Sequence, residues 1–531
     1  MAQQVDAVVI GAGFAGLYQL HRLRELGFTT QGFEAGGGVG GTWYWNRYPG
    51  ARCDVESMDY SYSFSEELEQ EWEWTERFPA QPEILRYLEH VADRFALRPM
   101  IRFDTRVTSA VLDEETLRWT VTTDGGDTVD ARFLIAATGC LSAWQVPDFE
   151  GLESYQGKTY HTGNWPKESV DFTGLRVGVV GTGSSGIQSI PRIAEQAAEL
   201  YVFQRTPNFS VPARNHPLTA EYRADRKGTY REYRERAKYS GGGHSAIPPV
   251  KSALEAGESE RRGEYEKRWR LGGAPLMQQC YNDLMLSEAA NDTIAEFVRD
   301  KIRETVKDPD TAEKLCPTGY AFGAKRLCVD TDYFETYNRD NVTLVDVHHS
   351  PIEKITPSGI ATGEREFALD ALVFATGYDA MTGPLLRLGI RGRGGRELKE
   401  VWAQGPRAYL GIQVAGFPNL FTITGPGSPS VLSNMVVSIE QHVDFVTDAL
   451  VHLRDHGIES MEPETGAQDA WVAHVTEAAD ATLHVKANSW YLGDNIPGKP
   501  RVFMPYVAGV GAYRRKCDEV AGRGYEGFVL R

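Results

Sequence analysis

Two short glycine-rich segments, each between an apolar stretch and an amphipathic stretch, constrain the fold more than any other feature. GAGFAG (Gly11 to Gly16) follows VDAVVI, and GTGSSG (Gly181 to Gly186) follows LRVGVV. In a strand, loop and helix unit, the first glycine permits a tight turn, the second lets a pyrophosphate approach the backbone, and the third lets helix and strand pack closely. The pattern therefore predicts an α/β protein with two Rossmann-like dinucleotide-binding domains and disfavours two ordinary glycine turns.

The residue that ends the second strand of each unit indicates which dinucleotide it binds. Glu34 lies 18 residues beyond Gly16, where a carboxylate can accept both ribose hydroxyls and would repel a 2'-phosphate. Arg205 lies 19 residues beyond Gly186, where a guanidinium suits a 2'-phosphate. The first unit is therefore expected to bind FAD and the second NADPH in preference to NADH. The alternative for Arg205 is a surface arginine at a strand end.

The length of 531 residues exceeds what one hydrophobic core usually organises. Apolar strand-like runs lie before and after a charge-dense helical region that contains EYRADRKGTYREYRERAKY and NDTIAEFVRDKIRETV. We therefore expect an FAD-binding domain from residues 1–140 and 386–531, an NADP-binding domain from residues 152–211 and 327–385, and a mainly helical insertion at residues 212–326.

Composition excludes several classes of function. With 56 Lys and Arg against 73 Asp and Glu, the net charge of −17 disfavours a nucleic-acid partner. No apolar run approaches the roughly 20 residues that span a bilayer, and no charged leader precedes the first strand, so a cytoplasmic protein is expected. The six cysteines form no C-x-x-C pair, so a metal site is not expected. The expected assembly is a monomer or a weak homo-oligomer.

The electron acceptor follows from the region after the first glycine loop. A protein that holds both cofactors can pass a hydride from nicotinamide to flavin. Flavoprotein disulfide reductases pass the electrons on to a cysteine pair in this region, but here it reads GGGVGGTWYWNRYPGARCDVES and contains Cys53 alone. Disulfide reduction is therefore disfavoured, and molecular oxygen is the leading acceptor.

The segment YQGKTYHTGNWP closely resembles the fingerprint of Baeyer–Villiger monooxygenases. Tyr155 stands at an aromatic position, and Gly157, His161, Trp165 and Pro166 match the pattern. AKRLCVDTDYFETYNRDN, ATGYDAMTG, GPGSPSVLSNM and NSWYLGDNIPGKP also resemble family segments. The resemblance implies NADPH- and O2-dependent conversion of apolar, aryl or cyclic ketones to esters or lactones by way of a flavin C4a-peroxide. The long GPGSPSVLSNM loop is similar to that of the phenylacetone monooxygenase group.

The resemblance assigns the catalytic role to Arg326, with Asp54 as the acid that orients it. Guanidinium stays charged at any working pH and can stabilise an anionic oxidant, provided that water is excluded. The alternatives are a structural salt bridge for Arg326 and a turn carboxylate for Asp54. His161 is expected at the linker between the nucleotide domains, where domain motion and cofactor positioning suit it better than proton transfer. A packing role for Trp490 also stays open.

The same resemblance, with the loop residues above, gives the full set of expected contacts. The residues expected at FAD are Gly11, Gly13, Phe14, Ala15, Gly16, Glu34, Thr42, Trp43, Asp54, Tyr60, Val107 and Met435. The residues expected at NADP are Arg52, Cys53, Thr182, Gly183, Ser184, Ser185, Gly186, Gln188, Arg205, Thr206, Lys325, Arg326 and Trp490. The expected wall of the ketone pocket is Ser430, Val431, Leu432 and Met435. Cys140 and Val431 depart from the phenylacetone monooxygenase group, which leaves the substrate preference open.

Two other functions are compatible with part of this pattern. An N- or S-oxidising flavin monooxygenase shares both nucleotide units, but those enzymes usually lack the Trp165–Pro166 ending of the fingerprint. A catalytically silent redox sensor would need the nucleotide sites but not the set of Asp54, Lys325, Arg326 and Trp490. Both alternatives can be separated from ketone oxygenation by the products that form.

Overall fold

The computed structural model describes residues 3–244, 249 and 251–531. In chain order the strands are β1 (Gln3–Ile10), β2 (Thr30–Phe33), β3 (Ile101–Arg102), β4 (Val107–Asp113), β5 (Arg118–Thr123), β6 (Thr128–Ala136), β7 (Lys158–His161), β8 (Arg176–Val180), β9 (Glu199–Gln204), β10 (Ser210–Pro212), β11 (Cys328–Asp330), β12 (Val342–Asp346), β13 (Ile352–Thr356), β14 (Gly359–Thr362), β15 (Glu366–Ala368), β16 (Ala371–Phe374), β17 (Ile390–Arg391), β18 (Leu420–Thr422), β19 (Met461–Pro463) and β20 (Phe528–Leu530).

The helices connect these strands and form the insertion. They are α1 (Phe14–Glu25), α2 (Thr42–Trp45), α3 (Glu66–Glu71), α4 (Gln81–Arg94), α5 (Ser184–Ala194), α6 (Ala220–Gly228), α7 (Tyr230–Lys238), α8 (Glu258–Leu271), α9 (Ala274–Gln278), α10 (Glu288–Thr305), α11 (Pro309–Leu315), α12 (Tyr333–Thr336), α13 (Gly383–Leu386), α14 (Leu398–Val401), α15 (Met435–Asp455), α16 (Thr465–Asp480) and α17 (Val510–Gly522). Short 3-10 turns include Ser430–Leu432 and Trp490–Leu492.

The first glycine loop follows the central strand of the first sheet. This sheet has the order β17-β4-β5-β6-β1-β2-β3, and β18 pairs with β6. β1 runs parallel to both β2 and β6, and its residues Val8 and Val9 are fully buried because both faces of the sheet are covered. Strands β17 and β18 come from the C-terminal third of the chain, so this part returns to the sheet that the N-terminal residues begin.

The second glycine loop follows β8 in an all-parallel sheet of order β12-β9-β8-β16-β7. β7 and β8 precede the helical region, and β16 follows it. Helices α6 to α11 lie between β10 and β11, which pair in parallel and so bring the two ends of this region together. The predicted fold class, α/β with two Rossmann-like domains and a helical insertion, is confirmed. The exact domain boundaries stay predictions.

None of the helices in the described residues is long and apolar enough to cross a membrane. In the same residues, no group of three or more His, Cys, Asp or Glu side chains is placed to hold a metal ion.

Candidate functional site

The two glycine loops repeat one geometry at the carboxyl ends of β1 and β8. Gly11 and Gly181 have φ of +108° and +107°, which side chains rarely tolerate. A β-carbon on Gly16 would lie 1.8 Å from the carbonyl oxygen of Gly11, and one on Gly186 would lie 2.3 Å from that of Gly181. The first glycine is therefore required by the backbone conformation of the turn, and the third by the close packing of the helix against that turn.

The middle glycine of each loop, Gly13 or Gly183, is less crowded than the first and third glycines. A β-carbon on Gly183 would meet no atom within 4 Å, and one on Gly13 would meet only the backbone of the Gly40–Gly41 turn. Each glycine lies directly before a helix whose first amide groups carry no side-chain cap. The open backbone beside free N–H groups at a positive helix end fits a dinucleotide pyrophosphate.

Glu34 directly follows β2 and lies beside the first loop. Its two carboxylate oxygens accept hydrogen bonds from the amide nitrogens of Ala12 and Gly36, both at 2.8 Å. Burial raises the pKa of Glu34, while these two amide donors oppose the rise. The carboxylate is thus fixed next to the glycine loop, with lone pairs left for ribose hydroxyls.

Other residues expected at FAD surround the start of α1. The ring of Phe14 packs edge-on against Tyr60 at 5.1 Å, and the indole nitrogen of Trp43 donates to the Tyr60 hydroxyl at 3.2 Å. Thr42 begins α2 next to Trp43, and Ala15 is buried in the same apolar cluster as Phe14. Val107 starts β4 and packs in a separate apolar cluster, so its contacts do not join it to this group.

The second loop is joined to the first domain through Gln188. The side-chain oxygen of Gln188 accepts from the Tyr48 hydroxyl at 2.8 Å and from the Arg52 amide at 3.3 Å, and its nitrogen donates to the Arg52 carbonyl at 3.0 Å. Ser184 contacts the Cys328 sulfur at 3.3 Å, and Ser185 contacts the Thr162 hydroxyl at 3.0 Å. The hydroxyl of Thr182 donates to the carbonyl of Thr206, and Cys53 is buried beside Asp54. The Gln188 contacts join the two domains, and the serine and threonine contacts lie within the second.

Arg205 and Lys325 form a positive patch beside the second loop. Arg205 follows β9 and is exposed, whereas the ammonium of Lys325 lies 4.4 Å from the centre of the Tyr320 ring. Burial, and then the charge of Arg205, lower the pKa of Lys325. Arg205 and Lys325 repel each other, and an anion bound between them would remove this repulsion. The 2'-phosphate of NADP is such an anion.

Arg326 and Asp54 meet at the boundary between the two nucleotide units. Nη2 of Arg326 donates to both Asp54 carboxylate oxygens at 2.7 Å, and its Nε donates to Oδ2 at 3.1 Å. Nη1 donates to the carbonyl oxygen of Val431 at 3.0 Å. The Asp54 charge raises the pKa of Arg326 far above its ordinary range, so the guanidinium stays cationic. The pair therefore aims a permanent positive charge at the expected ketone pocket.

The residues expected to line the ketone pocket lie around Val431. Val431 is buried in an apolar cluster with Cys140, Met381 and Tyr491, and Leu432, Met435 and Trp490 pack at its edge. Ser430 has a positive φ of 42° and donates to the sulfur of Met381 at 3.6 Å. Because Val431 also binds Arg326 through its carbonyl, the apolar wall and the positive charge share one short turn.

The fingerprint residues occupy the strand β7 edge and the linkers between the domains. Nδ1 of His161 accepts the Gly163 amide at 2.9 Å, so Nε2 carries the proton and donates to the Gln145 carbonyl at 3.2 Å. Burial lowers the pKa of His161 to about 4. A neutral ring gives no general acid near neutral pH, and the positioning role of His161 stays a prediction.

The remaining fingerprint residues lie on both sides of β7, with Tyr155 and Gly157 before the strand and Trp165 and Pro166 after it. Trp165 stacks on Tyr160 at 5.2 Å, and its amide donates to the Trp45 carbonyl in the first domain at 3.2 Å. The Tyr155 hydroxyl donates to the Leu369 carbonyl at 3.0 Å, and a β-carbon on Gly157 would lie 2.3 Å from that hydroxyl oxygen. Pro166 follows Trp165 directly. Within the motif, the Trp165 amide is thus the group that contacts the first domain.

Tyr491 is a site residue that the sequence alone did not indicate. It is buried beside Arg326 and Asp54, and burial raises its pKa to about 12. Its ring also packs against Phe503 and His484. The signal that could have found it is its place next to Trp490 in the NSWYLGD segment.

Comparison with known proteins agrees with this arrangement. A family model described as pyridine nucleotide-disulphide oxidoreductase matches residues 8–220. The solved structure of an oxidised steroid monooxygenase bound to NADP is similar at 57% identity and a TM-score of 0.95, covering 99% of both chains.

Two curated relatives extend over nearly the whole chain. A Baeyer–Villiger monooxygenase of Pseudooceanicola batsensis is 44% identical over 99% of this chain and 96% of the relative. A phenazine N-monooxygenase of Lysobacter antibioticus is 42% identical over 99% of this chain and 97% of the relative. On this similarity, the chain belongs to the Baeyer–Villiger monooxygenase family of FAD- and NADP-dependent flavoprotein monooxygenases.

Proposed function

We propose that this protein uses NADPH and O2 to convert apolar, aryl or cyclic ketones to esters or lactones. The observation that carries the proposal is the position of Arg326, which is bound by Asp54 on one side and by the Val431 carbonyl on the other. That arrangement places a fixed cation against an apolar wall where the two nucleotide units meet. A redox sensor would not need such a charge.

FAD and NADPH, when bound, supply the electrons that reduce O2 before one oxygen atom enters the substrate. The residues expected at FAD would hold the flavin dinucleotide through the first glycine loop and Glu34. Arg205 and Lys325 would hold the 2'-phosphate of NADP, and Thr182, Ser184 and Ser185 lie where its pyrophosphate would bind. These assignments rest on the open backbone at Gly13 and Gly183 and on the charges of the side chains.

The chain's own contribution to the reaction is electrostatic. Arg326 can stabilise the oxygen atoms that carry negative charge during the reaction, and Asp54 keeps the guanidinium in one orientation. The apolar side chains of Val431, Leu432 and Met435 lie beside this charge, and its effect would be strengthened when an apolar ketone displaces water there. An apolar ketone matches this wall better than a charged substrate would.

A screen of linear, cyclic, aryl and steroid ketones tests the proposal. NADPH consumption is measured together with the identity of the product. We expect one ester or lactone per NADPH for the accepted ketones. Ketone-independent NADPH oxidation that yields only hydrogen peroxide across the whole panel would contradict the proposal.

N-oxygenation is a second candidate because the phenazine N-monooxygenase is similar over the full length of the chain. That similarity limits how far the Trp165–Pro166 ending can exclude nitrogen substrates. A competition between a ketone and an aromatic nitrogen heterocycle, with both products quantified, separates the two functions. Predominant N-oxide would favour the second.

The setting of the protein is also part of the proposal. We expect it to act in the cytoplasm as a monomer or a weak homo-oligomer. All six cysteines are buried and free, as is usual in a reducing compartment. Sedimentation velocity over a range of concentrations measures the assembly state.

A further inference from the structure

The segment that carries Trp490 and Tyr491 has little regular structure of its own. Residues 487–509 lie between the 3-10 turn Leu483–Lys486 and helix α17, and the turn Trp490–Leu492 is the regular element within them. Trp490, Tyr491 and Leu492 nevertheless pack into the apolar cluster around Val431. Contacts outside the segment must therefore hold these rings in place.

The shortest of these contacts are made to residues 375–382, here called the linker, through which the chain leaves β16 of the second sheet on its way to β17 of the first. The ammonium of Lys499 donates to Asp379 at 2.6 Å and to the Ala380 carbonyl at 2.9 Å. The side chain of Lys499 is only 11% exposed and that of Asp379 only 21%. Asn495 adds a hydrogen bond of 2.7 Å to the Tyr378 carbonyl. An ion pair so shielded from water is screened much less than a surface pair.

The linker residues on either side of Asp379 reach other parts of the site. The Tyr378 ring packs edge-on against His161 of the fingerprint, and its hydroxyl donates to Asn46 of the first domain at 2.7 Å. Met381 is buried in the cluster around Val431, and its amide donates to the Cys140 carbonyl at 2.9 Å. Asp379 therefore lies between the joint of the two domains and the wall of the ketone pocket.

We propose that Lys499 is a positioning residue, whose ion pair with Asp379 fixes the Trp490 segment to the linker so that NADP stays bound until the ketone is oxygenated. The inference rests on the proposed function, because the consequence of losing the pair is uncoupling. The coupled reaction is NADPH + H+ + O2 + ketone → NADP+ + ester + H2O. When the segment is released, the same electrons give NADPH + H+ + O2 → NADP+ + H2O2.

The test replaces the ammonium of Lys499 with the uncharged side chain of methionine, which has a similar length. Lys499→Met should bind NADP+ roughly tenfold more weakly than the original protein when the oxidised holoenzyme is titrated. Limited proteolysis should cleave residues 487–509 faster in this variant at saturating NADP+. With an accepted ketone, the fraction of NADPH that ends as hydrogen peroxide should rise severalfold, and Lys499→Arg should restore most of the coupling.

Arg501→Met is the matched control. Arg501 lies in the same segment and is 49% exposed, and its carboxylate partner Asp494, at 3.3 Å, belongs to that segment as well. Its contact outside the segment, 2.8 Å to the Val485 carbonyl, reaches the adjoining 3-10 turn and not the linker. The control should bind NADP+ and resist proteolysis as the original protein does. An equal effect in both variants, or no effect in Lys499→Met, would overturn the inference.

A second variant and two binding-state measurements distinguish loss of the ion pair from failure of the proposed function. If Lys499→Met does not retain FAD, Asp379→Asn tests the same pair from the linker side. NADP+ affinity and proteolysis need no turnover, so they report on the ion pair even if no ketone is oxidised. Failure of the proposed function would instead appear as an absence of ester from the original protein.

Discussion

The guanidinium of Arg326 and the carboxylate of Asp54 form a two-pronged ion pair across 272 residues of sequence. The acid side chain is only 16% exposed and the arginine 33%. Because Nη1 also donates to the Val431 carbonyl, the guanidinium is held in one orientation as well as being paired with Asp54. A structural salt bridge alone would not require an apolar turn beside it.

Removing Arg326 should separate flavin reduction from oxygenation. In Arg326→Ala we expect ester formation to fall by at least about 100-fold, the scale seen when a fixed stabilising charge or donor is lost from an active site. Flavin reduction by NADPH should stay measurable in anaerobic stopped flow. Arg523→Ala, which removes an exposed arginine near the C-terminus, is the control. Ester formation by Arg326→Ala at the original rate would show that the assigned role is wrong.

Arg205 should set the preference for NADPH over NADH. Without its charge, a 2'-phosphate loses a partner next to Lys325, while NADH loses little. Arg205→Ala should therefore lower kcat/KM for NADPH about tenfold or more and leave the value for NADH nearly unchanged. Arg192→Ala removes a 41%-exposed arginine of the same domain and serves as control. A parallel loss with both nucleotides would favour the interpretation of Arg205 as an ordinary surface residue.

Two glycines of the second loop should respond differently to the same added methyl group. In Gly183→Ala the added β-carbon would have no atom within 4 Å, so this variant should fold and retain FAD. It should bind NADP+ more weakly, because the methyl group occupies the space open to the pyrophosphate. Gly186→Ala would place a β-carbon 2.3 Å from the Gly181 carbonyl oxygen and should prevent stable folding. Thermal unfolding and NADP+ titration measure both effects. Equal NADP+ affinity in Gly183→Ala and the original protein would argue against phosphate binding at this loop.

His161 should affect stability in acid and not the rate near neutral pH. Its pKa is lowered from 6.5 to about 4 by burial. As pH falls below 6.5, the unfolded chain takes up a proton that the folded protein does not bind until about pH 4. The contribution of His161 to the free energy of unfolding is therefore constant above pH 6.5. Between pH 6.5 and pH 4 it falls by on the order of 3 kcal/mol.

Calorimetric midpoints between pH 4 and 8 test this effect with His161→Asn, whose side-chain oxygen can still accept the Gly163 amide. The variant should lose less stability on acidification than the original protein. Some loss should remain, since burial also lowers the pKa of His442 to about 3. Rate profiles of both proteins should lack a transition at pH 6 to 7 from His161. Such a transition, present only in the original protein, would indicate proton transfer by this ring.

The local sequence determined the two nucleotide units and their ligands. Gly11, Gly16, Gly181 and Gly186 each lie where the chain must turn or pack against a carbonyl group, so their spacing predicts strand, loop and helix without knowledge of distant contacts. Glu34 likewise follows its strand at a fixed interval. The family fingerprint then indicated the oxygen chemistry.

Tertiary structure alone decided which distant residues meet. Arg326 lies just before β11 and reaches Asp54, in the segment after α2, and Val431, in the turn before α15. No local sequence pattern encodes these contacts. Lys499 and Asp379 are 120 residues apart, and their contact likewise cannot be predicted from a local pattern. Their pairing depends on how whole domains and linkers pack, because a buried charge that has lost its water depends on the partner that packing brings to it.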